Sequence, residues 1–218
     1  MLSFKFLKAS LLLFSISVFH SCTNQNKDKE NLPIMGEKEI VLLEKDGKKV
    51  NDTIYHTIPT FRFVDQDSVW ISNENVADKI YLADFFFTRC PTICPLLAKN
   101  MLIIAKEFEN EKRFVILSHT IDDKHDTPAV LGDYAKKLGA PLNWRFLNGP
   151  QDAVYTIAGK EGYFSYAEEN PDVPGGFDHS GAFTLVDTKG HVRGVYDGTS
   201  EEEARKAIED IRKLLKQL

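Results

Sequence analysis

The sequence predicts an α/β fold in which a mixed sheet has helices on both faces. Three observations predict it. A continuous apolar run, Lys79–Phe87, is typical of a central strand that is buried on both faces. Helix-like and strand-like segments alternate after it, and the chain ends in a strand hairpin followed by a helix. Such an order indicates one layered α/β domain, and 218 residues suit one domain of moderate size.

The N-terminus predicts a secretory signal rather than a part of the fold. Two lysines precede an apolar stretch, Ala9–Phe19, that is too short to span a bilayer as a permanent helix. Cys22 follows a small residue at the expected cleavage point, as in the lipobox of bacterial lipoproteins. We therefore expect residues 1–21 to be a lipoprotein-type signal peptide and Cys22 to be acylated. A plain secretory signal is the alternative.

Residues 22–36 are predicted to be a flexible tether, because Thr23–Asn31 is polar and has no apolar periodicity. The domain would then occupy residues 37–218. Without residues 1–21 the chain has 25 basic and 32 acidic residues, a net charge of −7, which argues against nucleic acid as a partner. We expect an exported, membrane-anchored lipoprotein of a bacterial cell envelope, with its domain facing the periplasm or the outside.

Two pairs of short alternating segments come before the central strand. Ile40–Leu43 and Val50–Tyr55 are joined across Asp46-Gly47, a strong hairpin signal. Thr60–Val64 and Val69–Ser72 form the second pair. We expect both pairs to be additions that pack against the main sheet.

The later elements are bounded by capping residues and apolar stripes. A helix starts at Pro91 or Thr92 and ends at Phe108. Asp126-Thr127-Pro128 opens the next helix, which ends near Gly139. Ser200 opens the last helix, with Glu203 in the capping-box position. The remaining predicted elements are strands 113–119, 144–147, 181–187 and 191–196 and helix 151–160.

The least regular segment is Glu161–His179, which contains Pro174-Gly175-Gly176. A connection of this length inside a compact domain is usually functional or mobile.

The chemistry is concentrated in the run CPTICP, residues 90–95. Cys90 and Cys94 follow the central strand and open a helical pattern, so we expect both sulfur atoms on one face of the helix start. The free N–H groups and positive dipole end of a helix start favour a thiolate. The pair could be a redox-active dithiol, a soft-metal site or a structural disulfide. The last is the weakest reading, because so small a loop gains little chain entropy.

A metal site needs ligands beyond the two thiolates. Two thiolates suit Cu(I) or zinc, but a closed zinc site needs four ligands and no second cysteine pair exists. His119 and His125 lie between a strand end and a helix start, where either could face the thiols. His179 precedes an antiparallel strand that returns to the same sheet edge. Position alone leaves the choice open.

Four segments together resemble the Sco/SenC family of thioredoxin-fold copper proteins, and the likeness covers roughly residues 58–218. The sequence departs from the family at Asp122-Asp123, where the family has aspartate followed by proline. The segments that carry the resemblance are Asp84–Thr88, Cys90–Pro95, Asp122–Pro128 and Asp178–Ser180.

The resemblance implies a thioredoxin-like fold with an extra N-terminal hairpin. It also implies that Cys90, Cys94 and His179 bind copper, as Cu(I) or Cu(II), and that the protein assists assembly of the CuA centre of cytochrome c oxidase. We expect Asp178 to lie next to the metal ligands without binding the metal itself. Asp84 lies six residues before Cys90, which resembles the buried aspartate before the first cysteine of thioredoxins. We therefore expect it beneath the thiols with a pKa raised by burial; a capped structural carboxylate is the alternative.

Two main functions remain open at this stage, and a copper or redox sensor is a weaker third, for which no output segment is visible. One is a membrane-tethered copper metallochaperone, whose partner is the CuA-containing subunit of the oxidase or a related copper acceptor. The other is a thiol-disulfide oxidoreductase, in which Cys90 attacks and Cys94 resolves the mixed disulfide. Copper binding needs His179, whereas disulfide exchange does not.

Overall fold

A computed structural model describes residues 31–218. The predicted signal peptide, Cys22 and the tether up to residue 30 lie outside the described residues. The strands are β1 (Lys38–Lys45), β2 (Lys48–Tyr55), β3 (Arg62–Asp65), β4 (Trp70–Ser72), β5 (Ile80–Phe86), β6 (Phe114–Thr120), β7 (Trp144–Asn148), β8 (Ala167–Glu169), β9 (Phe177–His179), β10 (Ala182–Val186) and β11 (Val192–Asp197). The helices are α1 (Asn73–Val76), α2 (Cys94–Glu107), α3 (Pro128–Leu138), α4 (Gln151–Ala158) and α5 (Glu201–Leu215).

A seven-stranded mixed sheet organises the domain, in the order β11-β10-β5-β6-β7-β3-β4. Strands β5, β6 and β7 are parallel, and the pairings on either side of them are antiparallel. All seven residues of β5 are buried, as its continuous apolar run predicts. The predicted mixed α/β fold is confirmed.

The register of β5 on β6 decides which side chains face which side of the sheet. Asp84 pairs with Ser118 and Phe85 pairs with His119, so each pair projects to one face. The face of Asp84 is covered by α2 and by Tyr134 of α3. The opposite face packs against Tyr163, which follows α4.

The two N-terminal pairs differ from each other. Strands β1 and β2 form a separate two-stranded sheet, the predicted extra hairpin. The prediction that the second pair is also an addition was wrong, because β3 pairs with β7 and extends the main sheet. Phe63 and Asp65 of β3 are buried. Four residues are too few for the sequence pattern to distinguish a sheet member from an added hairpin.

Part of the segment predicted as tether is bound to the domain. The Met35 amide donates to the Val192 carbonyl at 2.8 Å. The Arg193 guanidinium donates to the carbonyls of Leu32 and Pro33. Residues 32–35 therefore lie against β11, at the edge of the sheet.

The predicted N-caps Thr127 and Ser200 and the Gly139 stop are confirmed. The Glu203 half of the predicted capping box is not, because the Ser200 amide donates to the Asp197 carbonyl. The Thr127 side chain accepts from the Val130 amide, and Gly139 ends α3 with a left-handed φ of 65°. The Ser200 hydroxyl accepts from the Glu203 amide at 3.3 Å. The apolar stripe of α5 is shorter than predicted, since Leu218 lies beyond the helix and is exposed. Within residues 31–218, no helix combines the length and apolar character needed to span a bilayer.

Candidate metal centre

The two cysteines lie at the carboxyl edge of the parallel strands. Strand β5 ends at Phe86, and a turn carries the chain over Cys90 to the first residue of α2, Cys94. The Cys90 amide donates to the Phe87 carbonyl at 3.2 Å, which closes the turn. Both cysteines are free and buried.

The predicted start of α2 at Pro91 or Thr92 was wrong, and so was the expectation that both sulfur atoms lie on one helical face. A helix starting at Thr92 needs an N–H at position 95 for its first i to i−4 bond, and one starting at Pro91 needs it for its second, but Pro95 has none. The first bonds of α2 run instead from Leu96 and Leu97 to the Ile93 carbonyl. Cys90 therefore lies outside the helix, in the turn before it.

His179 reaches the cysteines from a hairpin that the sequence pattern did not predict. The irregular segment contains β8 and β9, which pair antiparallel, and His179 is the last residue of β9. Strand β10 pairs antiparallel with β5, so its start lies at the edge where β5 ends. The expectation that the histidine returns to this edge is confirmed.

The three predicted ligands converge. Cys90 Sγ, Cys94 Sγ and a ring nitrogen of His179 all lie within 4.8 Å of one another. The Nε2 atom of His179 is 3.5 Å from Cys94 Sγ, while Nδ1 lies 3.1 Å from the Ser180 carbonyl. An N–H donated from Nδ1 to this carbonyl leaves the lone pair on Nε2, which faces the sulfur atoms.

The two thiols have opposite pKa shifts. The hydrogen bond from Cys94 lowers the pKa of Cys90, and further bonds from His179, Thr92 and the Cys94 amide act in the same direction, against burial. The hydrogen bond with Cys90, followed by burial, raises the pKa of Cys94. One thiolate is therefore formed readily, at Cys90, while Cys94 keeps its proton until a metal or a disulfide replaces it.

Asp84 lies beneath Cys94, where the sequence predicted it. Both residues line a cavity of about 10 Å³, which is at the lower limit for one water molecule. Burial raises the pKa of Asp84 to about 7, and the hydrogen bond from Ser118 opposes this rise. The Trp144 indole donates to the same Ser118 hydroxyl at 2.8 Å. The carboxyl group therefore changes charge near neutral pH, close to the candidate metal ligands.

The side chains of Asp178 and His179, which are neighbours on β9, point to opposite sides of the strand. One of its carboxylate oxygens accepts from the Tyr166 hydroxyl at 3.3 Å. The bond that orients the His179 ring is made by the Ser180 carbonyl instead. Neighbouring residues of a strand point to opposite sides, which explains this separation.

The other two candidate histidines do not reach the thiols. His119 is fully buried on the opposite face of the sheet, stacked on Phe85 with ring centroids 5.3 Å apart. Burial lowers the pKa of His119 to about 3. The side chain of His125 is exposed.

The β8–β9 hairpin packs against the ring of Phe87. Its ring contacts those of Phe177 and His179, with centroids 5.2 and 5.9 Å apart. Gly175 approaches the same ring so closely that a Cβ would lie 2.8 Å from Phe87 Cζ, and its φ of 93° also favours glycine. The hairpin turn thus packs beside the cysteines and holds His179 over them.

Sequence reasoning missed several supporting residues, among them Phe87, Ser118 and Ser180. Phe87 was read only as the end of an apolar run. The strand register could have identified Ser118 as the residue opposite Asp84, but register is not visible in a single sequence. A carbonyl such as that of Ser180 has no side-chain signal.

A family model for SCO1/SenC matches residues 49–216. The chain belongs to the SCO1/SenC family. A SCO1 protein homolog of Bacillus subtilis is 30% identical over 169 residues, which cover 76% of this chain and 86% of that protein. The thioredoxin-like fold that the resemblance implied is therefore confirmed by family membership together with the architecture.

Solved structures agree with this assignment. A SCO1/SenC family lipoprotein from Bacillus anthracis matches with a TM-score of 0.66 and 28% identity, covering 73% of this chain and 95% of that one. BsSco, described as a Sco-family cytochrome c oxidase assembly protein with a disulfide switch, matches with a TM-score of 0.62 and 28% identity over 75% and 95% of the chains.

A structure of Bradyrhizobium japonicum ScoI with copper bound has a TM-score of 0.61 and covers 72% of this chain and 99% of its own. At 19% identity this likeness shows the fold. The Cys-Cys-His cluster of this chain is itself a soft donor set that suits copper. The donors and the comparisons together support copper as the metal.

Proposed function

We propose that this protein is a copper metallochaperone that binds copper through Cys90, Cys94 and His179 and assists assembly of the CuA centre of cytochrome c oxidase. The observation that carries the proposal is the convergence of the three donor atoms within 4.8 Å. Thiolates select Cu(I), and the added imidazole allows Cu(II) to be held as well. Family membership supports the same role.

The site suits transfer rather than permanent storage. Three protein ligands leave a coordination position to which a ligand of the acceptor can bind. Cys90 is the most exposed of the three ligands, at 9%, against 3% for Cys94 and 6% for His179. His179 is on a hairpin of two three-residue strands, so its release needs little structure to be broken. The partner is the CuA-containing subunit or a related copper acceptor.

The location is part of the proposal. An acylated Cys22 would hold the domain at a membrane of the bacterial cell envelope, on the periplasmic or outer side. The signal-like N-terminus supports this, with Cys22 after a small residue at the expected cleavage point. We expect Cys22→Ser to release the protein from the membrane fraction and leave copper binding of the domain unchanged. A variant that stays in the membrane fraction would contradict lipid anchoring.

Copper binding is tested by His179→Ala, with His125→Ala as the matched control. His179→Ala removes one ligand, so we expect loss of tight Cu(II) binding and of the thiolate-to-Cu(II) absorption band. The dithiol should still exchange with a small disulfide, because neither sulfur is altered. His125→Ala should bind copper like the unaltered protein, since its side chain is exposed and is not one of the three converging donors. Unchanged affinity in His179→Ala would refute the ligand assignment.

A thiol-disulfide oxidoreductase is the second candidate, favoured by the opposite pKa shifts of the two cysteines. The Cys90 thiolate would attack a disulfide of the CuA subunit and release one partner thiolate. Cys94 would then lose its proton and attack Cys90 Sγ, releasing the second. The partner gains two electrons, this protein becomes the disulfide, and an external dithiol must reduce it again.

The deciding assay mixes metal-free, reduced protein with an oxidised CuA-type subunit. If the protein is a thiol-disulfide oxidoreductase, the subunit disulfide is reduced. The Cys94→Ser variant should then accumulate a mixed disulfide between Cys90 and the subunit. Cys90→Ser should form none, because it lacks the attacking thiolate. If the subunit stays oxidised, the chaperone role stands alone.

A further inference from the structure

A buried carboxylate joins the ends of β5 and β6 close to Cys90. Asp126 has no exposed surface. One of its oxygens accepts from the Thr88 hydroxyl at 2.5 Å, and the other accepts from the Thr88 amide at 2.9 Å and from the Thr120 hydroxyl at 2.5 Å. A carboxylate with three donors directed at it is well satisfied although it is buried.

These bonds do not serve the helix that follows. Thr127 caps α3 with its own side chain, which accepts from the Val130 amide. The described hydrogen bonds of the Asp126 carboxylate go to residues at the ends of β5 and β6 instead. The backbone of Asp126 is fixed independently, since its amide donates to the Asp122 carbonyl and its own carbonyl accepts from Asn148. The carboxylate is thus a rigid anchor for the turn after β5.

Thr88 lies two residues before Cys90, on the segment that leaves the sheet. A second tie exists, from Arg89 to Asp122 at 2.5 Å, but the Arg89 side chain is 55% exposed. Asp122 is buried, but the Arg89 end of the pair is in water, which weakens its hold on the chain. The buried bonds of Asp126 to Thr88 therefore restrain the segment more strongly.

We propose that Asp126 is a positioning residue of the metal site. By fixing Thr88 it fixes the path of the chain to Cys90, and so the distance of that sulfur from Cys94 and His179. The inference rests on the proposed copper binding. Asparagine is a weaker substitute, because its neutral oxygen accepts less strongly than a carboxylate from the Thr88 amide and the Thr120 hydroxyl, and its NH₂ group forces the Thr88 hydroxyl to accept instead of donate.

The test compares Asp126→Asn with Asp65→Asn. Asp65 is also a buried carboxylate that holds a turn, since one of its oxygens accepts from the amides of Asp67 and Val69 at 2.9 Å. It lies on β3, which β6 and β7 separate from β5. The control therefore shares a buried carboxylate that holds a turn, but it lies elsewhere in the sheet and its other oxygen is 3.4 Å from the Arg145 guanidinium.

We expect Asp126→Asn to bind copper about tenfold more weakly, the lower range for residues that support metal ligands. Its Cu(II)-thiolate band should shift or weaken, and the Thr88 amide should exchange hydrogen faster in the metal-free protein. Asp65→Asn should keep the copper affinity and band. Unchanged affinity and band in folded Asp126→Asn would overturn the proposal, and so would an equal loss in Asp65→Asn.

Thr88→Val decides the question if Asp126→Asn does not fold. It removes one donor and keeps the amide bond to the carboxylate, so we expect copper affinity to fall about threefold, as for the loss of one hydrogen bond. Unchanged affinity would overturn the proposal. If the unaltered protein binds no copper, the proposed function fails, and Cys90 alkylation by iodoacetamide then tests the positioning role. Equal alkylation rates in the unaltered and Thr88→Val proteins would overturn it.

Discussion

Asp84 and His119 are buried ionisable groups on opposite faces of strands β5 and β6, and they differ in their hydrogen bonding. On the face towards α2, Asp84 has a bond from Ser118, which in turn accepts from Trp144. On the other face, both ring nitrogens of His119 lack a hydrogen-bond partner among the described residues. The aromatic rings of Phe61, Phe63, Phe85 and Tyr163 surround His119.

This difference shows that being buried near a chemical site does not make a residue part of it. Asp84 lies in a hydrogen-bonded group beside Cys94, where a change in its charge acts on the thiols. His119 is adjacent along the sheet but faces away from them. Strand alternation alone separates the two.

The two groups also give opposite dependences of stability on pH. The pKa of Asp84 is raised to about 7. Between about pH 4 and 7 the folded chain keeps this proton and the unfolded chain does not, so the free energy of unfolding falls as pH rises. The pKa of His119 is lowered to about 3. Between about pH 6.5 and 3 only the unfolded chain binds this proton, so the free energy of unfolding falls as pH falls.

Asp84→Asn should have the largest effect on this balance. It removes the contribution that weakens the fold as pH rises. The free energy of unfolding of the variant relative to the unaltered protein should therefore increase by roughly 4 kcal/mol between pH 4 and 8. Denaturant unfolding of metal-free, reduced protein at several pH values measures it. A difference that does not change with pH would contradict a raised pKa for Asp84.

His119→Phe should show the opposite slope. Removing a group that must stay neutral in the fold should raise the relative free energy of unfolding by roughly 3 kcal/mol as pH falls from 6.5 to 4. At neutral pH a gain of about 1 kcal/mol is expected, because two unpaired buried nitrogens disappear. Copper binding serves as the control and should not change. Loss of the copper absorption band would show that His119 contributes to the site.

Ser118→Ala and Thr184→Val sharpen the comparison with a smaller effect. Ser118 donates to Asp84 and accepts from Trp144, whereas the Thr184 hydroxyl donates to one carbonyl, that of Tyr163, at 2.8 Å. Losing two partners should cost about 2 kcal/mol of unfolding free energy, and losing one should cost about 1 kcal/mol. Thermal unfolding of both variants measures the two losses of unfolding free energy, which are then compared. Equal costs would mean that Ser118 does not link Asp84 to Trp144.

The hairpin that holds His179 shows where sequence-based prediction reaches its limit. Strands β8 and β9 have three residues each, too few for alternation to be read. The segment was predicted only as a functional or mobile connection. The close packing of Gly175 on Phe87 depends on residues far apart in the chain, and a single sequence contains no measure of that distance.

The sequence by itself determined the order of the main strands and helices, the buried central strand and the caps of α3 and α5, because these follow from local periodicity and local hydrogen bonding. It also identified Cys90, Cys94 and His179 as candidates. Only the tertiary structure decided the rest. The start of α2 at Cys94, the entry of β3 into the sheet, the choice of His179 over His119 and the anchoring of Thr88 by Asp126 depend on register and on contacts between distant segments. Such contacts are set by packing the whole chain, and no local pattern encodes them.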